Sequence, residues 1–264
     1  MKISKTPSAP CWADLSTPDP QAAALFYEAL FGWHARPVDD PAGGGYAVFA
    51  LDRPDGPQVC GVRPVTAPKQ PAAWLPYFQT AGIDAVTSRV RGNGGRVVAG
   101  PMGVLDQGRL AVCQDRAGAA FGLWEPAEHA GFQAVDVPGG FCWFELLTRD
   151  TEGAVDFFQS VLGWGARRCP AGPGSPAHTE WTVADETFGG MLDMASAGMP
   201  PEVPPHWNLY VAVTDPDAVA RRCAELAGQV LVEPRTVEPG RFAVLADPQG
   251  ATFSVMRFAD GSGR

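Results

Sequence analysis

The chain has 264 residues, of which 45% are hydrophobic, and it carries a formal net charge of −9. This length suits two domains of ordinary size, and the hydrophobic fraction is sufficient for a core in each. The acidic balance argues against nucleic acids and anionic membranes as partners, because both require clustered Lys and Arg.

The sequence also predicts where the protein resides. It contains no apolar run of about eighteen residues, so we expect no membrane span. The N-terminal residues lack the apolar core of a signal peptide. The six cysteines form no C-x-x-C pair, which is typical of packed, reduced thiols. We therefore expect a cytoplasmic protein that is a monomer or a homodimer.

The first predicted element is a strand over residues 10–17. Its alternation puts Cys11 on one face and Trp12 and Asp14 on the other. A helix follows, with Asp19 as its N-cap and Pro20 in its first turn. Its apolar residues recur at helical spacing.

Gly32 is placed to end this helix in a left-handed conformation. The rest of the first half predicts strands at 46–51, 58–65, 74–79, 96–99, 109–114 and 121–125, with a second helix at 84–90. In the second half, Cys142 lies on the repeat copy of the first strand, Asp150 caps a helix ended by Gly163, and a further helix follows Asp215 and ends at Gly228. Further strands are predicted at 180–184, 190–194, 206–214, 229–233, 241–246 and 252–257.

The two halves are a tandem duplication. Cys11 and Trp33 recur 131 residues later as Cys142 and Trp164. Across residues 11–36, 11 positions are identical in the second copy, where chance gives about one or two. Such a repeat defines the architecture before any single element does. We interpret each half as two βαβββ units, with domains at 1–125 and 140–264 joined by a linker at 126–139.

The repeated motifs resemble those of the vicinal oxygen chelate superfamily, which includes glyoxalases, bleomycin-resistance proteins and extradiol dioxygenases. The run Asp19, Phe26-Tyr27, Gly32-Trp33 carries the resemblance, together with the closing Gly-Arg, Asp-Pro-x-Gly-x-x-Phe run at 240–253. It covers the whole chain and looks closest to a two-domain actinobacterial subgroup of glyoxalase-like or hydroxylase proteins. The resemblance implies an α+β fold in which four βαβββ units form two half-open barrels of curved sheet.

The resemblance also implies where a metal would bind. Metal-dependent members place a His or Gln on the first strand of a unit and a Glu on the last strand. The matching positions here are Trp12, Trp143, Leu75, Asn208, Gly122 and Ser254. None of these suits a divalent metal, which prefers imidazole, thiolate or carboxylate ligands. We therefore expect no metal and no cofactor, which argues against glyoxalase I and extradiol dioxygenase activity.

The same face of the sheets is expected to line a cavity for a flat aromatic ligand. The candidate catalytic residues are Glu145, Asp14 and His206. The candidate ligand-binding residues are Trp12, Trp143, Tyr77, Asn208, Tyr210 and His178.

Asp14 and Glu145 are equivalent carboxylates in the repeat. Either could act as a general acid or base whose pKa is raised by apolar surroundings. A structural role is the stronger interpretation for at least one of them, because a catalytic centre usually persists in only one copy of a duplication.

Each remaining candidate also has a structural alternative. His206 and Asn208 occur only in the second half, which favours function there, but a histidine at a strand end is an equal alternative. His178 is either a lid residue or simply solvated. Arg109 and Arg241 suggest structural ion pairs to Asp14 or Glu145. His34 and His129 are expected at the surface.

Three functions remain open. The first is a metal-independent enzyme of secondary metabolism that hydroxylates, cyclises or rearranges an aromatic or polycyclic molecule. The second is a resistance protein that sequesters an antibiotic without catalysis. The third is a degenerate family member with a structural role. The asymmetry at residues 206 and 208 favours the enzyme.

Overall fold

The computed structural model describes residues 6–39, 44–65, 67, 70–172 and 176–259. In chain order the first half contains β1 (Pro10–Thr17), α1 (Pro20–Phe31), β2 (Trp33–Pro37), β3 (Ala47–Leu51), β4 (Gln58–Pro64), β5 (Ala73–Gln79), α2 (Ile83–Gly92), β6 (Arg96–Val104), β7 (Gly108–Gln114) and β8 (Ala120–Pro126).

The second half repeats this order. It contains β9 (Phe141–Thr148), α3 (Thr151–Leu162), β10 (Gly165–Cys169), β11 (His178–Val183), β12 (Glu186–Asp193), β13 (His206–Ala212), α4 (Pro216–Glu225), β14 (Gln229–Val237), β15 (Gly240–Ala246) and β16 (Thr252–Phe258). The four βαβββ units predicted from the sequence are therefore confirmed.

Each half forms one eight-stranded mixed sheet. The strand orders are β2-β3-β4-β1-β5-β8-β7-β6 and β10-β11-β12-β9-β13-β16-β15-β14. The first strands of the two units in each half, β1 with β5 and β9 with β13, pair antiparallel at the centre. Neither sheet closes into a barrel, so the expected α+β fold with two tandem half-open domains is confirmed. The boundaries of the linker, 126–139, remain our proposal.

The helix ends follow the sequence signals. The Asp19 carboxylate accepts a hydrogen bond from Ala22 N at 3.0 Å, and Asp150 accepts one from Gly153 N at 2.9 Å. Gly32 and Gly163 end their helices at φ 71° and 73°, which glycine adopts without strain.

Two strands were missed by the sequence analysis. β2 and β10 follow α1 and α3 directly, and the predictions placed no strand there. Both are edge strands of five residues whose later positions are polar or exposed, so they lack the apolar alternation that marks a strand. Trp33 and Trp164, the repeated tryptophans, are fully buried.

The two domains share one hydrophobic core, because the helix-bearing sides of both sheets pack together. Phe78 of β5 lies 4.7 Å from the ring of Trp164 and 5.2 Å from that of Trp207. The ring centroids of Trp33 and Phe141 lie 5.8 Å apart, and Trp33 Nε1 donates a hydrogen bond to Gly139 O at 2.7 Å. The duplicated domains are therefore joined by buried aromatic contacts.

The arginines predicted to pair with Asp14 or Glu145 have other partners. Arg109 forms ion pairs with Asp84 and Glu125, and Arg241 pairs with Asp217. Asp84 and Asp217 lie in the first turns of α2 and α4. The predicted partners were wrong, because each arginine instead pairs with an aspartate in the first turn of the helix of its own βαβββ unit.

A hydrogen-bonded chain crosses the domain interface on one side only. Trp74 Nε1 donates to Tyr27 Oη at 3.2 Å, and Tyr27 Oη donates to the Asp247 carboxylate at 3.1 Å. Tyr27, Trp74 and Asp247 correspond in the repeat to Phe158, Trp207 and Asp115. Phe158 has no hydroxyl, and Trp207 Nε1 and one Asp115 oxygen are buried without a hydrogen-bond partner among the described residues.

We predict that Phe158→Tyr stabilises the protein. The new hydroxyl would accept from Trp207 and donate to Asp115, as Tyr27 does in the other copy. Hydrogen bonds of this type contribute about 1–3 kcal/mol. Urea unfolding should show this gain in the free energy of unfolding, and Tyr27→Phe should show a loss of similar size. A destabilising Phe158→Tyr would show that the interface is not equivalent on the two sides.

Candidate functional site

Each sheet has a face that turns away from the helices, which we call the helix-free face. On β1 and β5, Leu15 pairs with Trp74, whose indole contacts Tyr27 of α1. Neighbouring residues in a strand point to opposite sides. Asp14 and Trp12 therefore lie on the helix-free face of the first sheet. In the second sheet Leu146 and Trp207 face the helices, so this face carries the equivalent group, Trp143, Glu145 and Tyr210.

In the first domain the central carboxylate is enclosed by hydrogen-bond donors. Asp14 accepts from Trp12 Nε1 at 3.1 Å, from Tyr46 Oη at 2.9 Å and from Tyr77 Oη at 2.9 Å. Only 6% of its surface is exposed. Burial raises the pKa of Asp14, while the nearby Arg63 guanidinium and the three donors oppose that rise. With all its donors supplied from within the protein, this carboxylate has the environment of a structural group.

Two glycines provide the space for this cluster. A Cβ at residue 61 would lie 2.0 Å from Tyr46 Oη and 2.4 Å from an Asp14 oxygen. A Cβ at residue 122 would lie 2.1 Å from the Tyr77 ring. Gly122 is one of the family's metal-ligand positions. The Tyr77 ring therefore lies against the place where a metal-binding side chain would begin.

The second domain keeps the carboxylate and the tyrosine but loses most of the enclosure. Tyr210 Oη donates to Glu145 Oε2 at 2.6 Å, a short distance that is typical of a bond to a charged acceptor. Trp143 and Glu145 are half-buried, whereas Trp12 and Asp14 are buried. Burial raises the pKa of Glu145, and the Tyr210 hydrogen bond, nearby His178 and Trp143 oppose the rise.

The register of the sheets explains this difference. In the first domain Tyr46 lies opposite Val38, and in the second His178 lies opposite Cys169, the repeat equivalent of Val38. His178 therefore occupies the position of Tyr46. Arg63 pairs with Ser16 in the first domain, and Leu192 pairs with Leu147, the repeat equivalent of Ser16, in the second. Leu192 therefore occupies the position of Arg63. Glu145 therefore has neither the second tyrosine nor the arginine that accompany Asp14.

Asn208 lies directly opposite Glu145 on β13. Its Nδ2 donates to Ser254 Oγ at 2.8 Å, while its Oδ1 is buried and has no hydrogen-bond partner among the described residues. A buried acceptor without a donor is unfavourable unless a ligand or water supplies one. This amide oxygen therefore has an unused capacity to accept a hydrogen bond.

His206 lies on the same face, opposite Leu147, at the start of β13. Its Nδ1 is 2.9 Å from Pro204 O, which favours the tautomer with the proton on Nδ1 and leaves Nε2 as an acceptor. The structure thus brings Glu145, Tyr210, Asn208 and His206 to one face of one sheet. Asp14, Trp12 and Tyr77 form the separate cluster of the other domain.

The family's metal-ligand positions do not carry a metal-binding set. They hold Trp12, Leu75 and Gly122 in the first domain, and Trp143, Asn208 and Ser254 in the second. Asn208 and Ser254 bond to each other. Indole, alkyl, amide and hydroxyl groups do not form the imidazole, carboxylate or thiolate sets that transition metals require.

Several residues of these clusters were not found from the sequence. Tyr46 and Arg63 were missed because their proximity to Asp14 depends on the pairing of β3 with β4 and of β4 with β1. His129 was expected at the surface, but it is half-buried and its ring lies 4.4 Å from that of Trp12. Its position could not be read from the sequence because it lies in the segment after β8.

Comparison with known proteins agrees with this fold. Residues 11–123 match the family described as the glyoxalase/bleomycin resistance protein/dioxygenase superfamily, and residues 143–256 match a glyoxalase-like domain. The anthracycline biosynthesis protein DnrV of Streptomyces peucetius is 40% identical over an alignment that covers 97% of this chain and 95% of that protein. The chain belongs to the glyoxalase/bleomycin resistance/dioxygenase superfamily.

Other members of the superfamily extend the comparison. The putative glyoxylase CFP32 of Mycobacterium bovis is 37% identical, with 94% of each chain covered. Among solved structures, the 2,3-dioxygenase LapB from Pseudomonas sp. KL28 has a TM-score of 0.65 at 13% identity, covering 98% of this chain and 96% of that one. The Mn(II)-bound glyoxalase from Novosphingobium aromaticivorans also has a TM-score of 0.65, at 16% identity, covering 96% and 82%. These two structures establish the fold alone.

Within the residues that the structure describes, no helix has the length and apolarity needed to cross a bilayer.

We predict that the two carboxylates differ in their contribution to stability. Asp14→Ala leaves the Tyr46 and Tyr77 hydroxyls without their acceptor, while Trp12 Nε1 keeps its second acceptor, Tyr46 Oη, and it should lower the free energy of unfolding by at least about 2 kcal/mol. Glu145→Ala frees the Tyr210 hydroxyl and the Trp143 indole at a half-buried position, where water can replace the lost acceptor, and should cost about 1 kcal/mol or less. Urea unfolding monitored by tryptophan fluorescence measures both values. Equal losses would contradict the structural role assigned to Asp14.

Proposed function

We propose that the protein is a tailoring enzyme of secondary metabolism that moves a proton on an aromatic or polycyclic substrate at the helix-free face of its second domain. The observation that carries this proposal is the contrast between the two carboxylates. Asp14 has three donors and is buried, whereas Glu145 has the short hydrogen bond from Tyr210 and is half-buried.

Glu145 is the general base in this proposal. Its carboxylate takes a proton from a phenolic oxygen or an acidified carbon of the substrate and returns it later in the reaction. Partial burial, which raises the pKa of Glu145, increases its basicity. Tyr210 would position the carboxylate through Oε2, with the Trp143 indole beside it.

The neighbouring side chains would orient the substrate. The unpartnered Oδ1 of Asn208 would accept a hydrogen bond from a substrate hydroxyl. His206 Nε2 and the half-buried rim residue His178 would provide further polar contacts, and the Trp143 indole a flat apolar surface. Trp12 and Tyr77, which are hydrogen-bonded to Asp14, would support the first domain.

The substrate class is suggested by the relatives. Two of them, at 40% and 39% identity, are named anthracycline biosynthesis proteins. We therefore assign to this chain a polycyclic aromatic substrate of the anthracycline type. We place no metal at the family's ligand positions in this step, because the residues there are unsuitable ligands. The sequence also has no nucleotide-binding motif.

The proposal predicts separate effects on conversion and binding. Glu145→Gln removes the base and keeps the shape of the side chain. It should lower kcat by about 10²–10⁴-fold, the usual contribution of general acid–base catalysis, and change Kd little. Binding is measured by quenching of tryptophan fluorescence with a panel of anthracyclines and their aglycones, and conversion by mass spectrometry of the ligand.

Glu28→Gln is the matched control, since it makes the same change at an exposed carboxylate of α1. It should leave both conversion and binding unchanged. Tight quenching with every ligand recovered unaltered would contradict the enzyme and support antibiotic sequestration. Full activity in Glu145→Gln would contradict the assignment of the base.

The pH profile provides a further prediction. A base must be deprotonated, so kcat/KM should fall as the pH drops through the pKa of Glu145, which burial raises above the usual carboxyl value. The Tyr210 hydrogen bond stabilises the charged form, so Tyr210→Phe should raise this pKa and move the acidic limb to higher pH. A Tyr210→Phe variant with an unshifted acidic limb would show that another group controls it.

A further inference from the structure

A second group of chemically active side chains lies on the β10–β11 hairpin of the second domain. Cys169 Sγ, a ring nitrogen of His178 and a carboxylate oxygen of Glu180 all lie within 4.8 Å of one another. Cys169 and His178 are direct cross-strand partners. His178 and Glu180 are two positions apart on β11, so the three side chains share one face.

The environment of these side chains differs from that of ordinary surface residues. All three are half-buried. The other five cysteines are buried, so Cys169 is the one thiol that a solute can reach. The equivalent positions in the first domain are Val38, Tyr46 and Val48, so the fold itself does not require this set.

The histidine is already oriented for coordination. His178 Nδ1 lies 3.3 Å from Pro176 O, which favours a proton on Nδ1 and leaves Nε2 free as a ligand. Metal-binding histidines almost always donate their other ring N–H to a carbonyl or carboxylate in this way. Glu180 accepts hydrogen bonds from the exposed Arg167 side chain, so its carboxylate is now paired with a cation.

We propose that Cys169, His178 and Glu180 form a binding site for a divalent transition metal of the zinc type. Thiolate, imidazole and carboxylate are ligands that Zn²⁺ and Co²⁺ accept together. On binding, Cys169 loses its thiol proton to solvent, Sγ bonds to the metal, and Glu180 exchanges Arg167 for the metal. Three protein ligands leave the fourth position of a tetrahedral ion open to water or a ligand oxygen.

This site is separate from the family's metal-ligand positions and lies toward the edge of the same sheet. Glu180 pairs with Gly190, which pairs with Glu145, so the two carboxylates stand two strands apart. Adjacent strands are about 4.8 Å apart. An ion at this hairpin would lie at the rim of the face that carries Glu145. The proposal does not depend on proton transfer at Glu145, and its test measures metal binding alone.

The test is a titration of the chelator-treated, full-length protein with Co²⁺. The expected result is one equivalent bound, with a near-ultraviolet thiolate-to-cobalt charge-transfer band and intense visible bands of a tetrahedral ion. Stoichiometric Zn²⁺ should remove these bands. Absence of a charge-transfer band would overturn the proposal.

Four variants make the assignment specific. Cys169→Ser should abolish the charge-transfer band, and His178→Ala should weaken binding by at least about 10–100-fold, the effect of losing even a supporting partner. His34→Ala, a half-buried histidine paired with Glu28, is the control and should bind like the wild type. Arg167→Ala removes the competing cation and should tighten binding.

The contrary outcomes are equally clear. A band that persists in Cys169→Ser would place the metal at another thiol, and unchanged affinity in Arg167→Ala would overturn the role of Glu180. Glu145→Gln should lose conversion while keeping the cobalt spectrum. Circular dichroism of each variant checks that the fold is retained. Failure of the metal site and failure of the proposed base are therefore distinguishable.

Discussion

The hydrogen bond from a tyrosine to a carboxylate at the centre of each sheet is the interaction on which the functional interpretation depends. A carboxylate placed on a half-buried strand loses hydration, and donors must replace the lost water. The first domain supplies three donors to Asp14 with Arg63 nearby. The second supplies Tyr210 at 2.6 Å and leaves Glu145 partly exposed. The tyrosine–carboxylate pair that both domains share is thus enclosed in the first domain and more exposed in the second.

Much of the fold could be predicted because the duplication doubles each signal. Asp19 and Asp150 cap helices, and Gly32 and Gly163 end them, so each motif confirms its copy. The edge strands β2 and β10 could not be predicted, because their pairing with β3 and β11 compensates for a weak apolar pattern. The same limitation applies to the shared core, since no local pattern indicates that Phe78 packs against Trp164 of the other domain.

The candidate site was predictable in part. The alternation of β1 and β9 places both carboxylates on a face with tryptophan, and Tyr77 and Tyr210 were expected on the same face; the structure adds the hydrogen bond from each tyrosine to its carboxylate. What distinguishes the two faces could not be predicted, because it depends on which residues of β3, β4, β11 and β12 lie beside the central strand. The replacement of Tyr46 by His178 becomes visible only when the hairpin registers are aligned. Sequence spacing hides it because the connection from Cys169 to His178 is one residue longer than the equivalent connection from Val38 to Tyr46.

The way the domains join explains why the two helix-free faces were able to diverge. Both domains bury their helix-bearing sides in a common aromatic core, so substitutions there affect both halves at once. Phe158 lacks the hydroxyl of Tyr27, which leaves Trp207 Nε1 and one Asp115 oxygen without a hydrogen-bond partner among the described residues, a cost that the packing of one copy tolerates. The helix-free faces have no such shared constraint. Once Asp14 with its three donors secures the centre of the first sheet, the equivalent positions of the second can exchange tyrosine and arginine for histidine and leucine. The aromatic core and the enclosed Asp14 therefore constrain the first sheet more strongly than the second, whose central carboxylate Glu145 is only half-buried.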